Sequence, residues 1–388
     1  MTTTAKEERL FEIVHFTIHD VGRAIDLSRL VGAAADAESF AKRMGNETPA
    51  RRDTPASLSL PRPLRFPLRS VEADGFGELS SEAKIYDDGA ITVVVRGRSR
   101  LVFEELGPLS KGETVHQGPT KISMDAWAEI LFRDALSIVA PAVIDPVRVD
   151  SADRESYTAF CLLDCDEQPA AFIAAHREAA ANLLIGEENG GALHESQITA
   201  ALSRPFSYGA HDYAVFDLDR CILIDPRGDY NDILLIAEHA TYRLLELRSL
   251  DRHLDKRLDE AEKYLTAYDT RRQGRRADRR LRGNAPRAKF ARIQALRFES
   301  LFILENLENS AKIIGDFYLG QIYDQLCTLF NTEGWSRSVQ RRLDVLSSVY
   351  DMAKTDSAER RMLSLEVTFI VVCIIFPVIQ IIQVLLLD

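Results

Sequence analysis

Cysteine is scarce in this chain of 388 residues, and no disulfide framework can be read from it. The five cysteines are odd in number and scattered, at Cys161, Cys165, Cys221, Cys327 and Cys373. This excludes the class of small disulfide-stapled domains and suits a reducing compartment. The opening residues MTTTAKEERLF hold no apolar signal region and form no acid-poor, Arg-rich presequence, so we expect neither targeting segment.

Catalytic motifs are also missing from the sequence. No Gly-x-Ser-x-Gly elbow occurs, and no Lys-Ser or Lys-Thr pair follows a glycine-rich loop. Residues 75–77 and 186–191 lack the remainder of a phosphate-binding fingerprint. Asp217, Asp219 and Asp225 surround a predicted hairpin, where turn chemistry explains them more simply than a cation site. We therefore predict a protein that is not an enzyme and needs no cofactor.

Two residue pairs have spacings that could place them on one strand face. They are Cys161 with Cys165 in CLLDC and His15 with His19 in HFTIH. No second Cys/His pair with zinc spacing accompanies the cysteines, so packing explains them better. His19 precedes Asp20 and is typical of a polar residue at a strand end. A metal site at the histidines is the alternative, and we predict none.

The first 226 residues alternate between strand and helix patterns. Strands are predicted at 10–18, 83–97 as a hairpin, 157–163, 204–208, 213–216 and 221–225; helices at 22–31, 123–139 and 169–185; and a loop at 45–63. Asp88-Gly89 marks the hairpin turn, Ser123 fits a helix N-cap and Pro169 fits a first helical turn. The pattern predicts an α+β domain over 1–226. Its order of strand, helix and paired strands recurs, so two related halves are a hypothesis.

From Asp232 onward the sequence changes to long amphipathic helices. The positions that recur every seven residues are Ile233, Ala240, Leu247, Leu254, Ala261 and Tyr268. A second helix is predicted over 288–330, a turn in NTEGWSRS, and a third helix from Ser338 that runs parallel to the first. Simple packing explains the apolar stripes. We predict a three-helix, coiled-coil-like stalk over 232–364.

An Arg-rich segment at 271–292 joins the first two long helices. It holds ten Lys or Arg and one Asp, a net charge of +9, so the other residues carry −20 of the total of −11. Three interpretations stay open: a solvated loop, anionic-lipid contact, and RNA or ribosome contact. The overall negative charge argues against nonspecific nucleic-acid binding, and the segment lacks the interleaved aromatics that stack on bases. The candidate lipid- or phosphate-binding residues are Arg271, Arg272, Arg275, Arg276, Arg279, Arg280 and Arg282.

The longest apolar run, VTFIVVCIIFPVIQIIQVLLL at 367–387, contains no charged residue. At a rise of about 1.5 Å per residue, a helix of this length spans roughly 30 Å, the thickness of a bilayer's hydrocarbon core. Lys354, Arg360 and Arg361 precede the run and only Asp388 follows it, so the positive-inside rule keeps the N-terminal part cytoplasmic. We predict a single-pass membrane anchor over 365–388, with a buried core helix as the alternative.

One stripe of the predicted anchor contains polar or irregular residues. Cys373, Pro377, Gln380 and Gln383 fall close to one line at helical spacing. Glutamine in a membrane helix can hydrogen-bond to a neighbouring helix. The stripe therefore predicts an interface between copies of this chain, and an isolated helix with two tolerated glutamines is the alternative.

Several motifs of the second half are shared with a known family. They are Gly315-Asp316 in a helix, Arg342-Leu343, Tyr350, Arg360 and Arg361, Leu365-Glu366, and the final apolar run. Together they resemble the end of the required-for-meiotic-nuclear-division (Rmd-type) family, and 234–258 and IYDDGAITV at 85–93 are similar to earlier parts of it. The Arg-rich 271–292 insertion departs from the pattern. The resemblance implies membrane association, a link to ribosome tethering in eukaryotic relatives, and no catalytic residues.

The order of an α/β domain, a long helix and a membrane tail also resembles the CorA-like magnesium channels. Those channels need two spans and a Gly-Met-Asn loop, whereas this chain has one predicted span and no such tripeptide. The leading hypothesis is a non-enzymatic, membrane-tethered scaffold or homo-oligomeric assembly protein, with membrane lipid and a protein or ribosome as candidate partners. The alternatives are a ligand-sensing or enzymatic domain on a membrane stalk, and a subunit of a small ion-conducting assembly.

Overall fold

The computed structural model describes residues 7–33, 63–146, 153–187, 193–273 and 316–385. Within its helices, the side chains of 31–33, 260–273, 349–361, 363–364, 378 and 380–385 lie outside this description. The loop predicted at 45–63 lies outside the described residues except for residue 63. The Arg-rich segment also lies outside them, apart from the backbone of 271–273.

A nine-stranded sheet forms the centre of the N-terminal part. The strands are β1 (Arg9–Asp20), β2 (Gly22–Ile25), β3 (Leu64–Ala73), β4 (Gly77–Ile85), β5 (Ala90–Leu101), β6 (Val115–Gln117), β7 (Thr120–Ile122), β8 (Val143–Pro146), β9 (Arg154–Leu162), β10 (Tyr213–Phe216) and β11 (Arg220–Ile224). The sheet order is β10-β11-β9-β1-β5-β4-β3-β6-β7, and β2 pairs with β8 separately. β11 is parallel to β9, and the other neighbours are antiparallel.

Nine α-helices accompany the strands in the described part of the chain. They are α1 (Leu27–Ala33), α2 (Leu106–Lys111), α3 (Met124–Val139), α4 (Pro169–Ala175), α5 (Arg177–Ile185), α6 (Glu195–Ala201), α7 (Asn231–Gln273), α8 (Phe317–Leu329) and α9 (Thr332–Leu385). The predicted cap of α3 is confirmed, because the Ser123 side chain accepts a hydrogen bond from the Ala126 amide. The α+β class of the fold is likewise confirmed.

Most of the predicted elements are present, and three predictions need correction. The predicted helix at 22–31 begins as β2, because Gly22 lies so close to β8 that a Cβ there would be 2.6 Å from the Val143 side chain. The helix predicted at 169–185 is broken at His176 into α4 and α5. The strand predicted at 204–208 is a single bridge between Phe206 and Ala214.

The sheet is covered on both faces. On one face, α1 to α5 bury an apolar cluster that includes Ile13, Val93 and Phe132. On the other face, the first half of α7 and the whole of α8 bury a second cluster, which includes Phe16 and Leu326. Because successive residues of a strand point to opposite faces, β1 supplies side chains to both clusters. The hypothesis of two related halves stays a prediction. The strand pairings of the two halves differ, because β5 is antiparallel to β1 whereas β11 is parallel to β9.

The chain divides into two compact units. One unit holds Met1–Ser249 with Glu305–Trp335, and the other holds Leu250–Leu304 with Ser336–Asp388. The boundaries of the predicted domains, 1–226, 232–364 and 365–388, follow changes in the hydrophobic pattern and composition of the sequence. The compact units instead group the first part of α7 and all of α8 with the sheet.

Within the second unit, α7 and α9 run parallel to each other. Ser338 Oγ donates to Asp251 Oδ1 at 3.0 Å, and the Arg342 guanidinium pairs with Asp251 at 2.9 Å and with Asp255 one turn further on. Contacts that advance in the same direction on both helices define a parallel pair, as the sequence predicts. Leu254 and Leu343 are buried on these helices.

Two predicted boundaries in the C-terminal half are wrong. In the described residues, the second long helix does not run through Asp316, because the Asp316 backbone is extended and its side chain caps α8. The turn is confined to Phe330 and Asn331, where Asn331 has a φ of 51°, and α9 already begins at Thr332. Within the side chains that the structure describes, no helix holds an apolar stretch long enough to cross a membrane.

A buried ion pair fixes the start of α7 to the sheet. Lys84 of β4 donates to the Glu238 carboxylate, and Tyr86 Oη donates to the same carboxylate at 2.9 Å. Both charged residues are almost fully buried. Burial raises the pKa of the Glu238 carboxyl, but Lys84 and Tyr86 outweigh it and hold this pKa below its ordinary value.

We expect Glu238→Gln to lower the free energy of unfolding by about 3–5 kcal/mol, because it leaves the Lys84 ammonium buried without its counter-charge. The double variant Lys84→Met/Glu238→Leu should lose less than the sum of the two single changes. Urea unfolding of the full chain in detergent, followed by the fluorescence of its two tryptophans, measures both values. The control is Arg100→Met, whose exposed pair with Asp164 should cost less than about 1 kcal/mol. A Glu238→Gln cost as small as the control's would contradict the role of the pair.

Candidate functional site

We use the name crevice for the polar region between α3 and α5 over the middle of the sheet, on the face covered by α1 to α5. α3 packs on β1, β3 and β5, whereas α5 packs on β11. β9 lies between β1 and β11 in the sheet, so its first residues lie between the strands on which the two helices pack. Ser156 and Thr158 point to this face and are only half-buried. Polar side chains from β1, β9, β11 and α3 meet here.

A carboxylate, an imidazole and a hydroxyl form a chain across the crevice. His15 Nδ1 lies 2.9 Å from Thr158 Oγ1, which is a hydrogen bond between the paired strands β1 and β9. On its other side, His15 Nε2 lies 3.4 Å from Asp125 Oδ1 of α3, outside hydrogen-bonding geometry. The imidazole is buried, whereas 65% of the Asp125 side chain is exposed. This row of three side chains therefore connects the buried His15 ring with the solvent-exposed Asp125 carboxylate.

The same face of β1 carries two more polar side chains. Thr17 and His19 follow His15 at alternate positions, so all three point toward α3. The His19 ring stacks on Phe132 with centroids 3.7 Å apart. Burial, reinforced by the Arg154 charge, lowers the pKa of His19 to about 3. Thr17 Oγ1 and His19 Nε2 are buried and have no hydrogen-bond partner among the described residues.

Charged groups of both signs line the α3 side of the crevice. Glu129 lies one turn beyond Asp125 and pairs with Arg154 of β9 at 3.3 Å. The nearby His15 side chain, together with the charges of Arg154 and Arg220, lowers the pKa of the Asp125 carboxyl against the opposing effect of burial. Asp125 is therefore an anion at neutral pH. This wall can accept hydrogen bonds from a hydroxyl or an amino group.

The metal alternative finds no geometric support in the described residues, which contain no group of three His, Cys, Asp or Glu side chains placed to hold an ion. His15 and His19 share a strand face, as predicted. The prediction of a shared strand face for Cys161 and Cys165 is wrong, because β9 ends at Leu162 and Cys165 lies beyond it. Turn chemistry explains Asp217 and Asp225, since the Asp217 side chain accepts from the Leu218 amide and that of Asp225 from the Arg227 and Asp229 amides.

The predicted oligomer stripe is described only in part. Cys373 and Pro377 are exposed on α9, whereas the side chains of Gln380 and Gln383 lie outside the description. Of the predicted lipid- or phosphate-binding set, Arg271 and Arg272 belong to the last turn of α7 by their backbone. The other members, Arg275, Arg276, Arg279, Arg280 and Arg282, lie outside the described residues. These binding roles stay predictions.

Sequence reasoning missed most members of the crevice, among them Asp125 and Thr158. Neither belongs to a motif, and they come together only because β9 pairs with β1 and α3 packs above both strands. The signal that could have found the crevice is the alternation of the polar residues His15, Thr17 and His19 along one face of β1. His19 does lie near the end of β1, as predicted, but three buried polar residues on one face also indicate a polar site.

Comparison with known proteins places this domain in a family. The family model described as the N-terminal domain of the uncharacterized protein MJ0711 matches residues 11–231, and the chain belongs to this family. The chain is 27% identical over 244 residues to the uncharacterized protein MJ0711 of Methanocaldococcus jannaschii. The aligned residues make up 62% of this chain and 69% of that protein. No solved structure matches the chain. The matched region contains the whole crevice, and the Rmd-type resemblance stays a prediction.

We expect two histidines to stay neutral throughout the physiological range. Burial lowers the pKa of His19 to about 3 and that of His239 to about 4, the latter with a contribution from Arg243. In ¹³C-histidine spectra of the full chain, two ring signals should not move between pH 8 and pH 5. His19→Gln and His239→Gln assign them by deletion. A His19 signal that titrates with a midpoint between 6 and 7 would contradict the burial of this ring.

Proposed function

We propose that the protein is a non-enzymatic, membrane-tethered scaffold or assembly protein. Its C-terminal helix anchors it as a single span and presents the α+β domain on the cytoplasmic side. The observation that carries the proposal is the surface of α9. From Leu365 to Pro377, and again at Ile379, every described side chain is exposed.

Apart from Glu366 and Thr368 near its start, most of the exposed side chains of this segment are large and apolar. Among them, Phe369 is 71% exposed, Ile374 61% and Phe376 62%. A helix that is apolar all round requires an apolar environment, because water on every side would cost the full hydrophobic free energy of these groups. A soluble monomer rarely exposes such a patch. The apolar sequence continues to Leu387 beyond the described side chains, which gives the run the length of a bilayer crossing.

The remaining parts of the proposal come from charge. Arg360 and Arg361 stand before the apolar run and favour the cytoplasmic side for what precedes them. The Arg-rich segment at 271–292 supplies a further candidate contact with anionic headgroups, worth about 1 kcal/mol for each basic residue near the surface. Homo-oligomers, and a protein or ribosome partner, are compatible with a tethered scaffold.

Two arginines in the tail test the anchor. We expect Val371→Arg/Ile375→Arg to release the protein from membranes, because an arginine at the centre of a span costs roughly 2.5–3.5 kcal/mol. Flotation of the full chain with liposomes, followed by carbonate extraction, measures the bound fraction. The matched control is Val345→Arg, which changes an exposed apolar residue of the same helix outside the run. Wild-type protein that is extracted by carbonate would contradict the anchor.

The oligomer interface has its own test. We expect Gln380→Leu/Gln383→Leu to shift the detergent-solubilised protein toward the monomer, because it removes hydrogen bonds worth about 1–2 kcal/mol each between membrane helices. Light scattering at several protein concentrations reports the mass. Ile374→Leu is the control for a change in the same helix that leaves both glutamines in place. An unchanged mass in the double glutamine variant would remove these residues from the interface.

A further inference from the structure

A buried arginine stands at the second wall of the crevice. Arg220 is the first residue of β11 and pairs in register with Thr158 across the parallel β9–β11 ladder. Both side chains therefore lie on the same face of the sheet as His15. Arg220 is only 8% exposed, although it carries a permanent positive charge. Burial of a guanidinium is costly unless its donors are satisfied.

The described residues satisfy little of this guanidinium. Nη1 donates to the Leu183 carbonyl at 3.2 Å, and this is its one hydrogen bond in the described part of the chain. The nearest paired carboxylate is Asp219, whose Oδ1 lies 4.0 Å from Nε and whose side chain is 64% exposed. An arginine has five N–H donors in a planar fork, which matches the two oxygens of a carboxylate or a phosphate. Arg220 thus retains donors that no described residue uses, on a side chain that is 10% exposed.

A lysine approaches Arg220 at the C-terminus of α5. Lys111 Nζ donates to the Gly186 carbonyl, so helix carbonyls hold both cations. Gly186 has a φ of +77°, and a Cβ added there would lie 3.3 Å from both the Lys111 Nζ and the Arg220 Cζ. A glycine at this point leaves room for two cationic groups to approach each other.

The two walls of the crevice are complementary in charge. One wall carries Arg220 and Lys111, and the other carries the carboxylates of Asp125 and Glu129. Thr158 and His15 lie on the floor between them. A ligand that fits this pattern carries an oxyanion at one end and a hydrogen-bond donor at the other.

We infer that the crevice binds a small organic molecule through an oxyanion. Arg220 grips the carboxylate or phosphate group of the ligand with its fork, and Lys111 adds a second positive charge. The Thr158 hydroxyl, oriented by His15, hydrogen-bonds to the same group. Asp125 accepts a hydrogen bond from a hydroxyl or an amino group of the ligand. This site is independent of the proposed membrane anchor, because every residue in it belongs to the sheet-containing unit.

Titration of the detergent-solubilised full chain with two group probes, inorganic phosphate and acetate, tests the site. Isothermal calorimetry in an anion-poor buffer should show saturable binding of one probe with a dissociation constant of roughly millimolar strength, as expected for one charge-assisted group. The probe that binds more tightly identifies the anionic group of the ligand. Absence of saturable binding of both probes would overturn the inference.

Variants place the binding in the crevice. Arg220→Lys keeps a charge near the Leu183 carbonyl but removes the fork, and we expect binding to weaken at least about tenfold. Arg100→Met removes an exposed arginine of the same sheet and should leave the affinity unchanged. Equal affinities of the wild type and Arg220→Lys would overturn the role of Arg220, even if anions bind elsewhere.

Two variants that retain Arg220 guard against a folding defect. Thr158→Val removes only a hydroxyl, and Gly186→Ala places a methyl group against both cations. We expect each to weaken probe binding several-fold while the far-ultraviolet circular dichroism stays that of the wild type. Unaltered binding in both variants would place the anion outside this crevice.

Discussion

The burial of β1 on both faces is the constraint on which the rest of the structure depends. This strand lies inside the nine-stranded sheet and supplies side chains to both apolar clusters. A polar side chain on such a strand loses its water and must find a partner. Glu12 finds three, since Tyr230 donates to its carboxylate, and Arg96 and Arg98 lie within 3.7 Å and 3.4 Å. On the opposite face, Thr17 and His19 do not find such partners among the described residues.

The two faces of the sheet differ in how their buried polar groups are partnered. On the α7 face, Lys84, Tyr86 and Glu238 form a closed set of buried groups. A closed set fixes the position of a helix, because a shift along its axis would separate the charges. On the α3 face, the set stays open at one end, where half-buried Thr158 and exposed Asp125 meet solvent. A closed set suits a structural contact, and an open set suits a ligand.

Local sequence patterns predict most of the helices and strands but not the crevice. The alternation in β1, the Asp88-Gly89 turn and the Ser123 cap are local features, and the structure has all three. The breaks at Gly22 and at Asp316 depend on contacts or caps that propensity does not show. The crevice depends on the pairing of β9 with β1 and β11, which joins residues more than 60 positions apart. His15, Thr158 and Arg220 are too far apart in the sequence for any local motif to contain all three.

The chain of Asp125, His15 and Thr158 is better suited to holding a ligand than to activating a nucleophile. In an acid–imidazole–hydroxyl relay, a buried carboxylate hydrogen-bonds to the ring and stabilises the imidazolium that forms during the reaction. Asp125 is largely exposed and lies 3.4 Å from Nε2 without hydrogen-bonding geometry, so water screens its charge. Such a carboxylate provides little of the stabilisation that proton removal from a threonine would need. The same exposure leaves the Asp125 carboxylate free to accept a hydrogen bond from a bound molecule, which is the role that the inferred ligand requires.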